Sequence, residues 1–174
     1  VAAAGRLDAA MAAELAPLKM ERAVFETRIS EGEPGPEGGD TVSFTVATNP
    51  GAPAGPLDKI ASGGELSRFL LALKVCLAGQ GGSVTMIFDE IDRGVGGAVA
   101  SAIGERLSRL SKDTQLLAVT HSPQVAAKGD HHLYISKSSD GTVARTNVVL
   151  LDMAARQEEI ARMLSGAEVT NEAR

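Results

Sequence analysis

Two short apolar runs, "SVTMIF" over 83–88 and "QLLAVT" over 115–120, constrain this chain more than any other feature. Each is a few residues long and nearly free of charge, the pattern of a strand covered on both faces of a sheet. Between them, Val99, Ile103, Leu107 and Leu110 recur at helical spacing and predict a helix over about 97–110. Strand, amphipathic helix and strand in that order predict an α/β architecture built on a mostly parallel sheet, with flanking helices and antiparallel hairpins outside it.

The flanks supply those outer pieces. Leu7, Met11, Leu15 and Leu18 form one stripe, predicting a helix over 6–16 that Pro17 ends. "RAVFETRIS" (22–30) and "TVSFTVAT" (41–48) read as strands, joined by "EGEPGPEGGD", an exposed hairpin loop. Leu66, Phe69, Leu70, Leu73 and Leu77 predict a helix ending near Gly79. "HLYIS" and "TVARTNVVLL" flank Asp140-Gly141 as a hairpin. A last helix, about 153–164, should turn Met153, Ile160 and Leu164 inward and stop near Gly166.

Composition bounds the function. With 174 residues, 44% of them hydrophobic and no Trp, the chain suits one domain or one large lobe with an aliphatic core. No apolar run approaches the roughly 20 residues of a membrane span, and no signal peptide is visible. The chain starts at Val1, as a fragment or processed chain would. Cys76, the one cysteine, reads as a buried free thiol in a reducing compartment. The net charge of −5 is the wrong sign for a compact duplex-binding module, so contact with DNA would be made elsewhere or after assembly.

Four stretches carry chemistry. Ser62-Gly63-Gly64-Glu65 fits a capping box, with serine as N-cap and glutamate at N3. A capping box does not explain the two glycines, each costing about 1 kcal/mol of helix propensity. A helix N-terminus left uncovered for a bulky anion does. "TMIFDEID" ends an apolar strand in Asp89 and Glu90. A carboxylate at such an edge can hold Mg²⁺, and its neighbour can deprotonate water; the alternative is a solvated acidic strand end. "RGVGG" (93–97) is either a plain glycine turn or a place where another backbone comes close. His121 follows the second strand, and Ser122-Pro123 looks like the start of a short helix. If the two strands are parallel neighbours, His121 and Glu90 emerge at one edge, where a histidine can bond a γ-phosphate or the attacking water; otherwise it is incidental. Asp130, His131 and His132 lack a further Cys or His at ligand spacing, which argues against zinc.

Taken together, these stretches resemble the C-terminal half of an ABC-type ATPase head. "SGGELSR" looks like the signature motif, "TMIFDEID" like Walker B, Asp92 with the following glycines like the D-loop, and His121 like the switch histidine. "PLDKIASGGELSRFLLALK", "FDEIDRGVGGAVASAIGERL", "THSPQVAAKGDHHLYISK" and "EEIARMLSG" narrow the resemblance to the RecN family, SMC-like proteins of bacterial double-strand-break repair and recombination. That resemblance implies that residues 1–17 are the foot of a returning coiled-coil helix and 18–174 the C-terminal lobe. No G-x-x-x-x-G-K-[ST] occurs here, so an N-terminal Walker A lobe would lie outside this chain. It further implies a cytoplasmic, nucleoid-associated ATPase that reaches DNA through the full-length protein, with no membrane partner. Asp89 would help hold Mg²⁺ and Glu90 would be the general base. His121 would contact the γ-phosphate. Ser62, Gly63, Gly64 and Glu65, with Asp92, would meet ATP on the opposite head of a homodimer. The alternatives are a lobe of another ABC-class protein, an SMC-type chromosome protein or a transporter, and a non-catalytic remnant.

Overall fold

The structure, a computed structural model, describes residues 1–36, 38–57, 63–78, 85–139 and 144–165. Alanine-rich sequence at the start gives α1 (Ala2–Leu15), which passes through a 3-10 turn (Ala16–Leu18) holding Pro17. Met11, Leu15 and Leu18 are fully buried as the stripe required, and Leu7 packs beside them. β1 (Val24–Gly35) and β2 (Gly38–Ala47) form a long antiparallel hairpin, and β3 (Gly55–Pro56) adds a short third strand against β2. Phe25 on β1 stacks at tilted angles on Phe44 of β2 and Phe69 of α2 (Gly63–Cys76), with centroids 5.4 and 5.6 Å apart.

The expected hairpin loop over 31–40 is corrected. The strands continue through it, and Gly35 pairs with Gly38 after a register shift between Glu31 and Gly35. Pro34 has no N–H to give the ladder, so pairing lapses there and resumes at the glycines. α2 also departs from the single stripe. Phe69 and Leu73 are buried, but Leu70 and Leu77 are each 41% exposed, while Leu71, Ala72 and Val75 go inward. The helix lies between α1 and α3 (Gly97–Leu110), so its buried surface is broader than one face and turned away from Leu70 and Leu77. Cys76 is half-buried rather than buried; desolvation pushes its thiol pKa up, Glu14 adds to this, and Arg109 opposes it.

β4 (Thr85–Asp89) and β5 (Gln115–Val119) are joined by α3 and pair in parallel, Thr85 with Gln115 through Asp89 with Val119. α3 follows the expected bounds, and Val99, Ile103, Leu107 and Leu110 are all buried. Two expectations for the sheet fail. The described strands are mostly antiparallel, since β4 and β5 are the parallel pair among a three-stranded antiparallel sheet and the hairpin of β6 (Leu133–Ser139) with β7 (Ala144–Leu150). Nor are β4 and β5 covered on both faces. Met86, Phe88 and Leu116 pack on the core, while Ile87, Leu117 and Val119 are 71%, 40% and 53% exposed. The alternation has period two, as when cover lies on one side only.

α4 (Pro123–Ala126) follows β5, and α5 (Met153–Ser165) packs on it. Asp152 caps α5 by accepting the Ala155 N–H at 2.8 Å. Arg156 donates to the carbonyls of Ala126, Ala127, Gly129 and Asp130. These bonds orient the helix so that Arg156, Ile160, Ala161 and Met163 face inward; the expected inward Met153 and Leu164 are 81% and 56% exposed. The predicted turn at Asp140-Gly141 and the stops at Gly79 and Gly166 lie outside the described residues.

α1 is tied to α3 by charge. Glu14 sits 2.7 Å from Arg106 Nε and 3.1 Å from Arg109 Nη1. The first contact is not aligned as a hydrogen bond; Arg106 instead donates Nη1 to the Ala102 carbonyl at 3.0 Å. On the other side of α3, Gly104 lets α4 come close. A Cβ there would stand 3.0 Å from both the Gln124 carbonyl oxygen and Lys128 Cγ. Alanine gains about 1 kcal/mol of helix propensity, but overpacking against a backbone oxygen costs about 1–3 kcal/mol. Gly104→Ala should therefore lower stability, read as a reduced urea midpoint; an increase would show that α4 shifts freely.

Candidate active site

β4 delivers its chemistry at its C-terminal end. Asp89 is the last paired residue, and the chain leaves through Glu90 at φ +52°, a left-handed conformation that L-residues adopt at a cost of about 1–2 kcal/mol. The turn is closed by the Arg93 N–H on the Glu90 carbonyl, 3.1 Å, and Gly94 follows at φ +71°. Strain of this kind at an exposed carboxylate is retained where surrounding structure holds it, and it points to function. Glu90 Oε2 accepts from Arg93 Nη1 at 2.8 Å. Both side chains are more than 60% exposed, so the pair is easily exchanged for another partner.

The first turn of α2 faces this strand end across an open cleft of about 530 Å³, lined by Gly63, Gly64, Glu65, Ser67, Arg68, Asp89, Glu90, Arg93 and Gly94. Two motifs far apart in sequence thus form one wall-to-wall site. The glycines have different settings. A Cβ on Gly64 would meet Arg68 Nη1 at 3.4 Å and the Arg93 carbonyl oxygen at 3.6 Å, so this glycine lies against the turn that follows β4. A Cβ on Gly63 would meet nothing within 4 Å among the described residues. Ser62, the expected N-cap, lies outside the described residues.

Arg68 and Arg93 are site residues that the sequence motifs do not single out. Arg68 is four residues after Gly64, hence on the same helix face, and that spacing is the available signal. Its guanidinium pKa is lowered by burial, with Glu65 opposing the shift, and its Nε is buried without a hydrogen-bond partner among the described residues. A partly desolvated guanidinium at a cleft wall suits a phosphate. Asp89 and Glu90 offer carboxylates on the same cleft. Mg²⁺ usually takes one or two such groups and completes its shell with water and phosphate, so Asp89 fits the ion. No cluster of three or more His, Cys, Asp or Glu forms a protein-only metal cage among the described residues.

The parallel pairing puts His121 just past the end of β5, at the same edge as Glu90. His121 is exposed and does not line the cleft. Asp92, expected to meet the opposite head, is 2% exposed in this chain and engaged within it. Its Oδ2 accepts the Thr120 hydroxyl in a short bond and the Ser122 N–H at 3.1 Å. Burial of Ile91 and Asp92 turns this part of the loop inward and leaves Arg93 and Gly94 outside.

The fold that brings these elements together is shared with part of the SMC head domains. A crystal structure of the Smc head domain with coiled coil and joint from Pyrococcus yayanosii superposes with a TM-score of 0.62 over 90% of this chain and 28% of that one, at 20% identity. A structure from work on ATP-driven dimerization and DNA-stimulated activation of SMC ATPases matches over 94% of both chains, TM-score 0.57, at 16% identity. No family model matches the chain. The chain is a homologue of the DNA repair protein RecN: it is 47% identical over 167 residues to RecN of Rickettsia conorii, covering 96% of this chain. It spans 31% of that relative's length.

The open space beside Gly63 makes a prediction. Gly63→Ala should leave stability unchanged or raise it by up to about 1 kcal/mol, judged by the denaturation midpoint. A clear loss would show that this glycine serves the chain's own fold.

Proposed function

We propose that this chain is the C-terminal lobe of a RecN-type ATPase head, and that it contributes the signature helix, Walker B and switch histidine to ATP hydrolysis in DNA double-strand-break repair. The observation that carries the reading is the shared cleft: Gly63 and Gly64 stand opposite Asp89 and Glu90. Residues 1–17 form the foot of a coiled-coil arm, and 18–174 the lobe. The exposed apolar side chains Ile87, Leu117 and Val119 support an N-terminal Walker A lobe as the missing cover of the parallel pair. DNA is met through the full-length protein, which acts in the cytoplasm. Among the described residues no helix is long and apolar enough to cross a membrane.

In this reading Glu90 takes a proton from the water that attacks the γ-phosphorus. Its left-handed backbone aims the carboxylate out of the strand and into the cleft, and Arg93 holds it until nucleotide arrives. Asp89 would hold Mg²⁺, which neutralises phosphate charge when bound. His121 contacts the γ-phosphate from the neighbouring strand. Ser62, Gly63 and Gly64 present helix-terminal N–H groups to ATP on a second head, and Glu65 steadies that terminus. Asp92 would help form the contact between heads by anchoring the loop after β4. Catalysis on phosphoryl groups is mainly positioning and charge, which this arrangement supplies.

This chain alone should hydrolyse no ATP above the rate of its own Glu90→Ala variant, measured by phosphate release, because its sequence holds no G-x-x-x-x-G-K-[ST] motif. Turnover by the pure chain would overturn the half-site reading. In the whole protein, Glu90→Gln should retain ATP binding, slow hydrolysis by about 100-fold or more, and accumulate ATP-bound dimers in sedimentation. Hydrolysis at the parent rate would remove Glu90 as the base.

A further inference from the structure

Asp92 has no part in the chemistry described above, yet it is the most buried carboxylate at this edge. It follows the candidate base by two residues and reaches the other strand. One oxygen, Oδ2, accepts from Thr120 Oγ1 and from the Ser122 N–H, the two residues that flank His121. Thr120 Oγ1 also accepts the same Ser122 N–H at 2.9 Å, closing a three-membered set of contacts around the peptide that carries the histidine. Ser122 turns its own hydroxyl away, donating it to Gln124 Oε1 at 2.8 Å. Gln124 in turn lies against Gly97 at the start of α3, where a Cβ would come within 3.3 Å of its Nε2. The backbone on both sides of His121 is therefore fixed, while its ring is exposed. A buried ion at this depth is costly unless its bonds are well made, and Oδ1 has no partner among the described residues. An apolar residue would fill the space without that cost. What it could not do is clamp residues 120 and 122 to the turn that carries residue 90.

We infer that Asp92 and Thr120 are positioning residues: a buried carboxylate–hydroxyl clip that holds His121 in register with Glu90 across the two strand ends. The inference rests on the reading of Glu90 and His121 as the hydrolytic pair. The clip makes the spacing of base and histidine a property of one rigid junction rather than of two independent loops. Losing the hydroxyl frees the 120–122 peptide, and displacements of about 1 Å at a phosphoryl-transfer site cost on the order of 100-fold.

The test is a double-mutant cycle in the whole protein, with steady-state ATP hydrolysis and melting temperature measured for Thr120→Val, Thr120→Ser, His121→Ala and Thr120→Val with His121→Ala. Thr120→Val should lower kcat at least about tenfold, with KM for ATP within about twofold, and Thr120→Ser should restore it. The double variant should be no slower than His121→Ala alone, because the clip acts through the histidine. A parent-like kcat for Thr120→Val overturns the inference. So does a Thr120→Val loss that recurs in full on the His121→Ala background, which would mark a purely structural bond. If Thr120→Val does not fold, Thr120→Cys, whose thiol is a weak donor, carries the same cycle with the same two outcomes. Parent-like turnover by His121→Ala would instead remove the histidine from the hydrolytic reading, and the clip's purpose with it.

Discussion

The parallel pairing of β4 with β5 is the constraint on which the site depends. Asp89 opposite Val119 leaves both chains at the same edge within one residue of each other. Every reactive group on this wall lies just beyond that pair: Glu90 on one strand, Thr120 and His121 on the other. Slipping β4 by one residue against β5 would reverse the faces of β4, burying Ile87 in place of Phe88. It would also part Asp92 from its two bonding partners. The packing of Met86, Phe88 and Leu116 against the core is what opposes the slip.

The second wall is built on different physics. α2 is held by side chains that run around more than half of its circumference, including Phe69 against Phe25. With its body fixed in this way, its first turn can be left uncovered. Gly64 is the point where the helix comes near the other wall, since a Cβ there would be in ordinary contact, 3.6 Å, with the Arg93 carbonyl oxygen. The cleft is thus a gap between two rigid parts, one a sheet edge and one a helix end, and its polar lining remains available to a ligand.

Some of this is legible in the sequence. α3 can be read almost to the residue because its apolar positions keep one period and its inward face is simple. The carboxylates after β4 and the histidine after β5 are also visible, because a charge placed directly after an apolar run marks a strand end. Other features leave no such trace. Asp92 carries the same side chain as Asp89 three positions earlier, and only the turn geometry at Glu90 sends one inward and the other outward. The inward face of α5 escapes its apolar spacing because the residue that orients the helix is Arg156, which works through carbonyls of the segment after α4. No hydrophobic period reports such a bond. The strands over 83–88 and 115–120 look doubly covered because apolar residues occupy both faces. That composition is real, but one of the covers is not in this chain's described part.

The tie between Glu14 and Arg109 spans 95 residues, and this has a consequence for how the molecule is made. At roughly 5–20 residues per second of synthesis, α1 emerges on the order of 5–20 s before its partner on α3 exists. During that time α1 can meet β1 and α2, but Glu14 still lacks the two arginines of α3. α1 is fully locked only once α3 has been made. A nascent chain therefore carries α1 with part of its apolar face open until α3 has followed it, and this is the stage at which association with another nascent chain is easiest.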